Sequence, residues 1–277
     1  MNKMNYSSET KSGLRAYLAR SDPLRIGLMV SSLPLFIAGW WLLSIYLQGQ
    51  NFYYLPTPLE VWNALVASWE WDPVTHQPLL ANINASLGRF ALGFVIAIVI
   101  AVPLGLLIGY SYLIDAFSKP IIEVLRPVPP IAWVPFLLLS LGLFWGPVIT
   151  IFIGVFFPVL SNVIFGVRSV DPLLIDVAKT QGASNRQVFT KVIFPFSIPF
   201  IMAGLKIGVG IGWMCIVAAE LFAAQGGGVG VLITAGQTIG RYDIMFAGMV
   251  VVGLLGIVTL TVSEYLEKRV KIWMGMM

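Results

Sequence analysis

Residues 127–167, PVPPIAWVPFLLLSLGLFWGPVITIFIGVFFPVLSNVIFGV, run for 41 positions without one acidic or basic side chain. A bilayer core takes about 20 apolar residues of helix, so this run is too long for one crossing and long enough for two. Gly142 and Gly146-Pro147 supply a break near its middle, and the run reads as two spans at roughly 120–141 and 147–167. Working outward, the same measure finds 26–47 between Arg25 and Glu60, 90–109 after Arg89, 197–221 interrupted by Lys206 and Glu220, and 244–263 between Asp243 and Glu264. The fold predicted is an all-α membrane protein with six transmembrane helices.

Composition agrees. The 277 residues are 58% hydrophobic and 11% charged, against roughly 45–50% and 25% in water-soluble domains. The formal charge of +4 does not point to nucleic acid, because the basic residues avoid the apolar runs rather than forming a face. One cysteine, Cys215, excludes an internal disulfide, and one histidine, His76, cannot build a metal cluster by itself. The first span follows a 25-residue polar tail and lacks a small-residue cleavage site, so it is expected to remain as a helix rather than act as a signal peptide.

Six crossings put both termini on one side, and counting Lys and Arg selects it. Thirteen fall on the side of the termini: Lys3, Lys11, Arg15, Arg20 and Arg25, then Lys119, then Arg168, Lys179, Arg186 and Lys191, and finally Lys268, Arg269 and Lys271. Only Arg89 and Arg241 fall opposite, with Arg126 and Lys206 inside spans. The termini and the 168–196 segment are therefore predicted in the cytoplasm of a multi-pass protein of the cell membrane. The resulting plan is a tail over 1–25, a first span over 26–47, an outer segment over 48–81, a core over 82–267 and a tail over 268–277. In the outer segment Thr57-Pro58-Leu59-Glu60 fits a capping box, and Leu59, Trp62, Val66 and Trp69 recur at helical spacing. A short helix at the membrane interface is predicted, its tryptophans anchoring it among headgroups.

The stretch 171–195, DPLLIDVAKTQGASNRQVFTKVIFP, carries the functional signal. Asp171 is a good N-cap and Pro172 suits the first helical position. Gly182 can take the left-handed geometry that ends such a helix, and Ser184 with Gln187 forms a second capping box before a helix that Pro195 follows. The prediction is helix, sharp turn, helix, standing out of the membrane, with Ala178, Gly182 and Ala183 leaving the turn open to close approach. A blander reading is a basic loop with ordinary caps.

These residues resemble the cytoplasmic loop of the membrane subunits of type I ATP-binding cassette importers, which carries E-A-A, three residues, G, nine residues, I-x-L-P. Here stand Asp176-Val177-Ala178, three residues, Gly182, nine residues, then Val192-Ile193-Phe194-Pro195. The spacing matches throughout, with Asp for Glu, Val for Ala, Val for Ile and Phe for Leu. The resemblance implies a type I permease core with a coupling helix that inserts into a groove of a separate ATPase, through Asp176, Val177, Ala178, Gly182, Ala183 and Ser184. Leu55-Pro56-Thr57-Pro58, the run Leu125 to Pro135, and Trp213 followed by Ala218-Ala219-Glu220 further resemble the nitrate, sulfonate, taurine and bicarbonate uptake group. The resemblance also implies a second permease copy, a soluble binding protein, and ATP with magnesium held by the ATPase, no cofactor being bound by this chain.

No G-x-x-x-x-G-K-[ST] phosphate loop occurs; Gly226-Gly227-Gly228-Val229-Gly230 lacks the Lys-Ser/Thr ending and reads as a flexible loop or re-entrant turn. No catalytic residues are expected. Charges inside spans are costly and default to functional candidates. Lys206 and Glu220 are fourteen residues apart, about 21 Å along a helix and about 40° from one azimuth, with Gly210, Trp213 and Val217 on the same stripe. Gly204, Gly208 and Gly212 form an opposite, small face suited to tight packing. Arg126, Lys206, Trp213 and Glu220 are the candidates for a substrate pathway. The plain alternatives are Lys206 and Glu220 reaching the two interfaces, and Arg126 pairing with Glu123 one turn away. Pro127, Pro129 and Pro130 interrupt helix at membrane depth, which places the third span in the subunit interior. A carrier or channel working without an ATPase is the competing function. An intramembrane enzyme lacks paired carboxylates, H-E-x-x-H or a Ser/His pair.

Overall fold

The computed structural model describes residues 23–70, 75–223 and 226–274; residues 1–22 of the expected tail lie outside them. The described residues form two compact units, one as far as Asn63 and one from Ala64 onward.

In the first unit, α1 (Pro23–Gly49) carries the first expected span. Trp40 Nε1 and Ser44 Oγ both donate to the Pro56 carbonyl at 3.0 Å, which folds the following segment back along the helix. The predicted capping box forms: Thr57 N donates to Glu60 Oε2 at 2.7 Å and Glu60 N to Thr57 Oγ1 at 3.3 Å. It opens α2 (Pro58–Glu70), on which Leu59, Trp62, Val66 and Trp69 are all exposed, while Val61, Ala64 and Ser68 are buried.

The second unit is built on α3 (Leu79–Tyr110), α5 (Val134–Arg168), α8 (Phe194–Phe222) and α10 (Tyr242–Trp273). Small residues decide how they meet. On α3, Gly93, Ala97, Ala101, Gly105 and Gly109 recur every fourth position and make one ridge. A Cβ on Gly93 would meet Val148 and Ile151 of α5, one on Gly105 would meet Val163, and one on Gly109 would meet Val167. Both series rise together, so α3 and the later part of α5 run parallel. The other side of α5 takes the predicted glycine face of α8: Gly204 packs on Val159 and Asn162, Gly208 on Val155, and Gly212 on Val155 and Phe90. These pairs descend, so α8 is antiparallel to α5, and α5 lies between two ridges of small residues. Ile151, Val155, Val159, Leu160 and Val163 are consequently buried outright.

Because α3 and α5 are parallel, residues 112–141 must carry the chain back between them. They do so in pieces: α4 (Tyr112–Leu125), a 3-10 turn (Pro130–Trp133) and the first residues of α5. Gly142, with φ 76°, then reverses the chain. A Cβ on Gly146 would stand 3.2 Å from the Cα of Leu138, whereas eight residues of straight helix span about 12 Å. The break predicted at Gly142 is therefore a hairpin. Among the described residues, five stretches are long and apolar enough to cross a bilayer: 30–49, 79–110, 130–168, 185–222 and 242–272. The expected span over 120–141 is not a continuous helix.

Three further expectations are corrected. The prolines leave the return segment at the periphery of the chain rather than in its interior: Ile131, Phe136 and Leu139 are exposed and only Val134 and Leu137 are buried between 130 and 141. Pro195 does not follow a finished helix. A π turn (Phe189–Ile193), closed by Phe194 N on the Phe189 carbonyl, absorbs it at the start of α8, so helical geometry is unbroken from 185 to 222. The tail expected over 268–277 is helical as far as Trp273.

Candidate functional site

Between α5 and α8 the chain projects beyond the end of the bundle as α6 (Pro172–Thr180) and α7 (Asn185–Val188). Asp171 caps α6, its carboxylate accepting from Leu173 N at 2.9 Å. The helix stops where Gly182 adopts φ 83°. Ala183 N donates to the Ala178 carbonyl at 3.0 Å and Gly182 N to the Lys179 carbonyl at 2.9 Å, the paired bonds of a Schellman motif. Ser184 N then donates to Gln187 Oε1 at 2.8 Å and Gln187 N to Ser184 Oγ at 3.3 Å, so α7 opens on the predicted capping box.

The two faces of this projection differ. Ile175, Ala178, Ala183, Val188 and Phe189 turn inward and join the bundle's apolar core, and the Phe189 ring meets Tyr110 of α3 edge-on at 5.3 Å. The small side chains Ala178 and Ala183 let the turn sit close to the bundle end. Outward, Leu173 is 65% exposed, Leu174 47% and Val177 46%, with Asp176, Gly182 and Ser184 beside them. Three aliphatic side chains thus stand in the open on a short, doubly capped helix. Of the six residues singled out from the sequence, Asp176, Val177, Gly182 and Ser184 face outward, and Ala178 and Ala183 hold the turn to the bundle. Leu173 and Leu174 complete this face outside the family spacing, and the signal for them in the sequence is their i, i+1 placement with Val177 at i+4, which marks one apolar face.

The four pathway candidates do not come together. Glu220 is 1% exposed and sits in a buried network at the opposite end of the bundle. Its carboxylate accepts from Ser86 Oγ at 2.8 Å, from Arg89 Nη1 at 2.9 Å and from Gly230 N at 2.9 Å. Arg89 also donates to the carbonyls of Gly227 at 2.7 Å and Gly226 at 2.6 Å. Asn82 Oδ1 accepts from Gly228 N and Ser86 Oγ from Val229 N. Asn82, Ser86 and Arg89 form one stripe of α3; Asn82, Ser86 and Glu220 receive the free amides at the start of α9 (Val229–Thr238), and Arg89 donates to the carbonyls just before it. A Cβ on Gly228 or Gly230 would come within 2.5 Å of Glu220, so side-chain-free backbone is what lets the carboxylate in. Gly226–Gly230 is therefore a clamped turn rather than a flexible loop, and the helix expected to begin at 90 begins at Leu79, its polar first turns having partners.

Lys206 pairs with Glu264 of α10 at 2.6 Å, both partly exposed. Trp213 is buried, stacked on Phe90 at 4.8 Å, and its Nε1 donates to Thr259 Oγ1 at 2.8 Å. The stripe that joined Lys206, Trp213 and Glu220 thus fastens α8 to α10 at two heights and to α3 at a third. Arg126 lies away from all three, on the peripheral return segment. Glu123, its expected partner, stands 4.0 Å from Lys119 instead.

Comparison with known proteins bears on this architecture. Residues 101–272, more than half the chain, match the family model described as binding-protein-dependent transport system inner membrane component. A Methanocaldococcus jannaschii protein whose name places it among ABC transporter permeases is 40% identical over 248 residues, covering 89% of this chain and 92% of that one. The taurine transport system permease protein of Escherichia coli (strain K12) is 31% identical, with 91% of each chain covered. The nitrate import permease protein of Leptolyngbya laminosa is 33% identical over 86% of this chain and 88% of its own. In fold, the chain is similar to a structure of the MetNI methionine ABC transporter, with a TM-score of 0.59 over 69% of this chain and 95% of that one at 17% identity. The chain belongs to the binding-protein-dependent transport system inner membrane components, the permease subunits of type I ABC importers.

Proposed function

We propose that this permease is driven by a separate ATPase docking on the 172–188 projection, and that it imports a small anion of the sulfonate, taurine, nitrate or bicarbonate kind. The observation that carries the reading is the open aliphatic face of Leu173, Leu174 and Val177 on a helix whose other face is locked to the bundle. A rigid handle transmits force, whereas a loose loop would absorb it. ATP-driven closure of two ATPase copies pushes two such handles together, and two permease copies rock between inward-open and outward-open forms. ATP and magnesium are held by the ATPase, since this sequence has no phosphate loop. A soluble binding protein delivers the solute from outside, and both termini face the cytoplasm, as the thirteen-to-two distribution of Lys and Arg supports. The anion class is supported by the names of the taurine and nitrate relatives.

The test is reconstitution. The permease, co-isolated with its ATPase and supplied with binding protein, should take up taurine, methanesulfonate, nitrate or bicarbonate into vesicles only with ATP, and lose uptake when the ATPase phosphate-loop lysine is replaced. Uptake by the permease alone would instead establish a carrier or channel.

A further inference from the structure

Along α4, Asp115, Lys119, Glu123 and Arg126 fall on one helical stripe, and it faces Ser161 and Arg168 of α5 across a groove of about 260 Å³. Arg168 closes one end on Asp115 at 2.5 Å. Lys119 and Glu123 stand 4.0 Å apart midway. At the other end the Arg126 guanidinium and the Ser161 hydroxyl have no hydrogen-bond or ion-pair partner among the described residues. Three cations thus face two carboxylates, both already engaged, which leaves one positive charge and one hydroxyl donor over.

We propose that this groove is an anion site, in which Arg126 and Ser161 hold a single oxyanion group with Lys119 alongside. Guanidinium recognises planar or tetrahedral oxyanions through paired N–H donors, and the serine hydroxyl adds a third. The volume lies below the roughly 300–1,000 Å³ of drug-sized pockets, which suits a nitrate, a sulfonate group or one lipid headgroup phosphate. Ser161 is seven residues, about 10 Å, from Arg168 along α5, and Arg126 is exposed where it lines the groove, so its donors are open to an incoming anion. The site itself stands on this geometry; its use as a station for the imported solute rests on the anion-importer reading above.

The full-length chain in phosphatidylcholine nanodiscs should broaden the chloride NMR line, and nitrate or taurine should reverse the broadening. Arg126→Gln should cut it at least fivefold, Arg126→Lys should keep part of it, and Ser161→Ala should weaken it about threefold in a protein whose helix packing is untouched. Displacement by nitrate or taurine assigns the site to the solute. No chloride effect, but phosphatidylglycerol adducts in native mass spectra of the chain reconstituted with that lipid, which Arg126→Gln removes, assigns it to a lipid headgroup. If Arg126→Gln and Ser161→Ala alter neither readout, the site does not exist. Absence of an associating ATPase would overturn the importer reading and leave both readouts standing.

Discussion

Replacing Glu220 by Ala tests how the far end of the bundle is held. The carboxylate receives Ser86 Oγ, Arg89 Nη1 and Gly230 N within 2.9 Å, and both charged side chains are at least 94% buried. Removing it leaves the guanidinium with only the Gly226 and Gly227 carbonyls and strands an amide at the start of α9. Breaking a buried pair from one side costs about 3–5 kcal/mol, and an orphaned neutral donor about 1–3 more, with overlap between the two. A loss of about 4 kcal/mol is expected, close to a thousandfold in the unfolding equilibrium at about 1.4 kcal/mol per decade. Reversible unfolding by denaturing detergent in mixed micelles measures it. Arg89→Met with Glu220→Met should cost less than the sum of the single changes, by about 2 kcal/mol, because the uncompensated charge goes with its partner. A loss below about 1 kcal/mol for Glu220→Ala, or strict additivity in the pair, would refute the clamp and return Glu220 to the candidates for a solute path.

Other perturbations separate the remaining contacts. Gly182→Val forces a β-branched residue to φ 83°, about 1–2 kcal/mol of local strain, so ATPase association should fall while membrane insertion stays normal; unchanged association and transport would reject the docking role. Gly208→Ala drives a methyl to 2.9 Å from Val155 and should destabilise by about 1–3 kcal/mol, whereas Gly210→Ala, with nothing within 4 Å, should be neutral or stabilising by up to about 1 kcal/mol; thermal unfolding compares them. Trp213→Phe keeps the stack on Phe90 but loses the bond to Thr259, and the same measurement should show about 0.5–1.5 kcal/mol.

What the sequence made legible was local. The caps at Asp171 and Ser184, the left-handed Gly182, the reversal at Gly142 and the packing face Gly204–Gly208–Gly212 each follow from residues within a turn or two of one another. The matched spacing from Asp176 to Pro195 carried the family. What stayed hidden was long-range. Arg89 and Glu220 are 131 residues apart, and nothing near either one announces the other. Without that partner Arg89 reads as the end of an apolar run, which is why α3 was expected to begin eleven residues late. The azimuth of Lys206 and Trp213 on their own helix is legible, but α10, which supplies Glu264 and Thr259, decides what they touch. The return segment was misplaced for the opposite reason. Its prolines are as disruptive as expected, yet the ridges on α3 and α8 fit α5 so closely that no room remains there for a broken helix.

The docking of a separate ATPase on the 172–188 projection is tested most directly by placing a photo-crosslinking amino acid at Val177 in cells that make the whole transporter, with Ile239 as the control position. The account predicts a covalent adduct between the permease and an ATPase subunit from position 177 and none from 239. An adduct only from 239, or labelling of a cysteine at 177 by a membrane-impermeant reagent applied to intact cells, would contradict it.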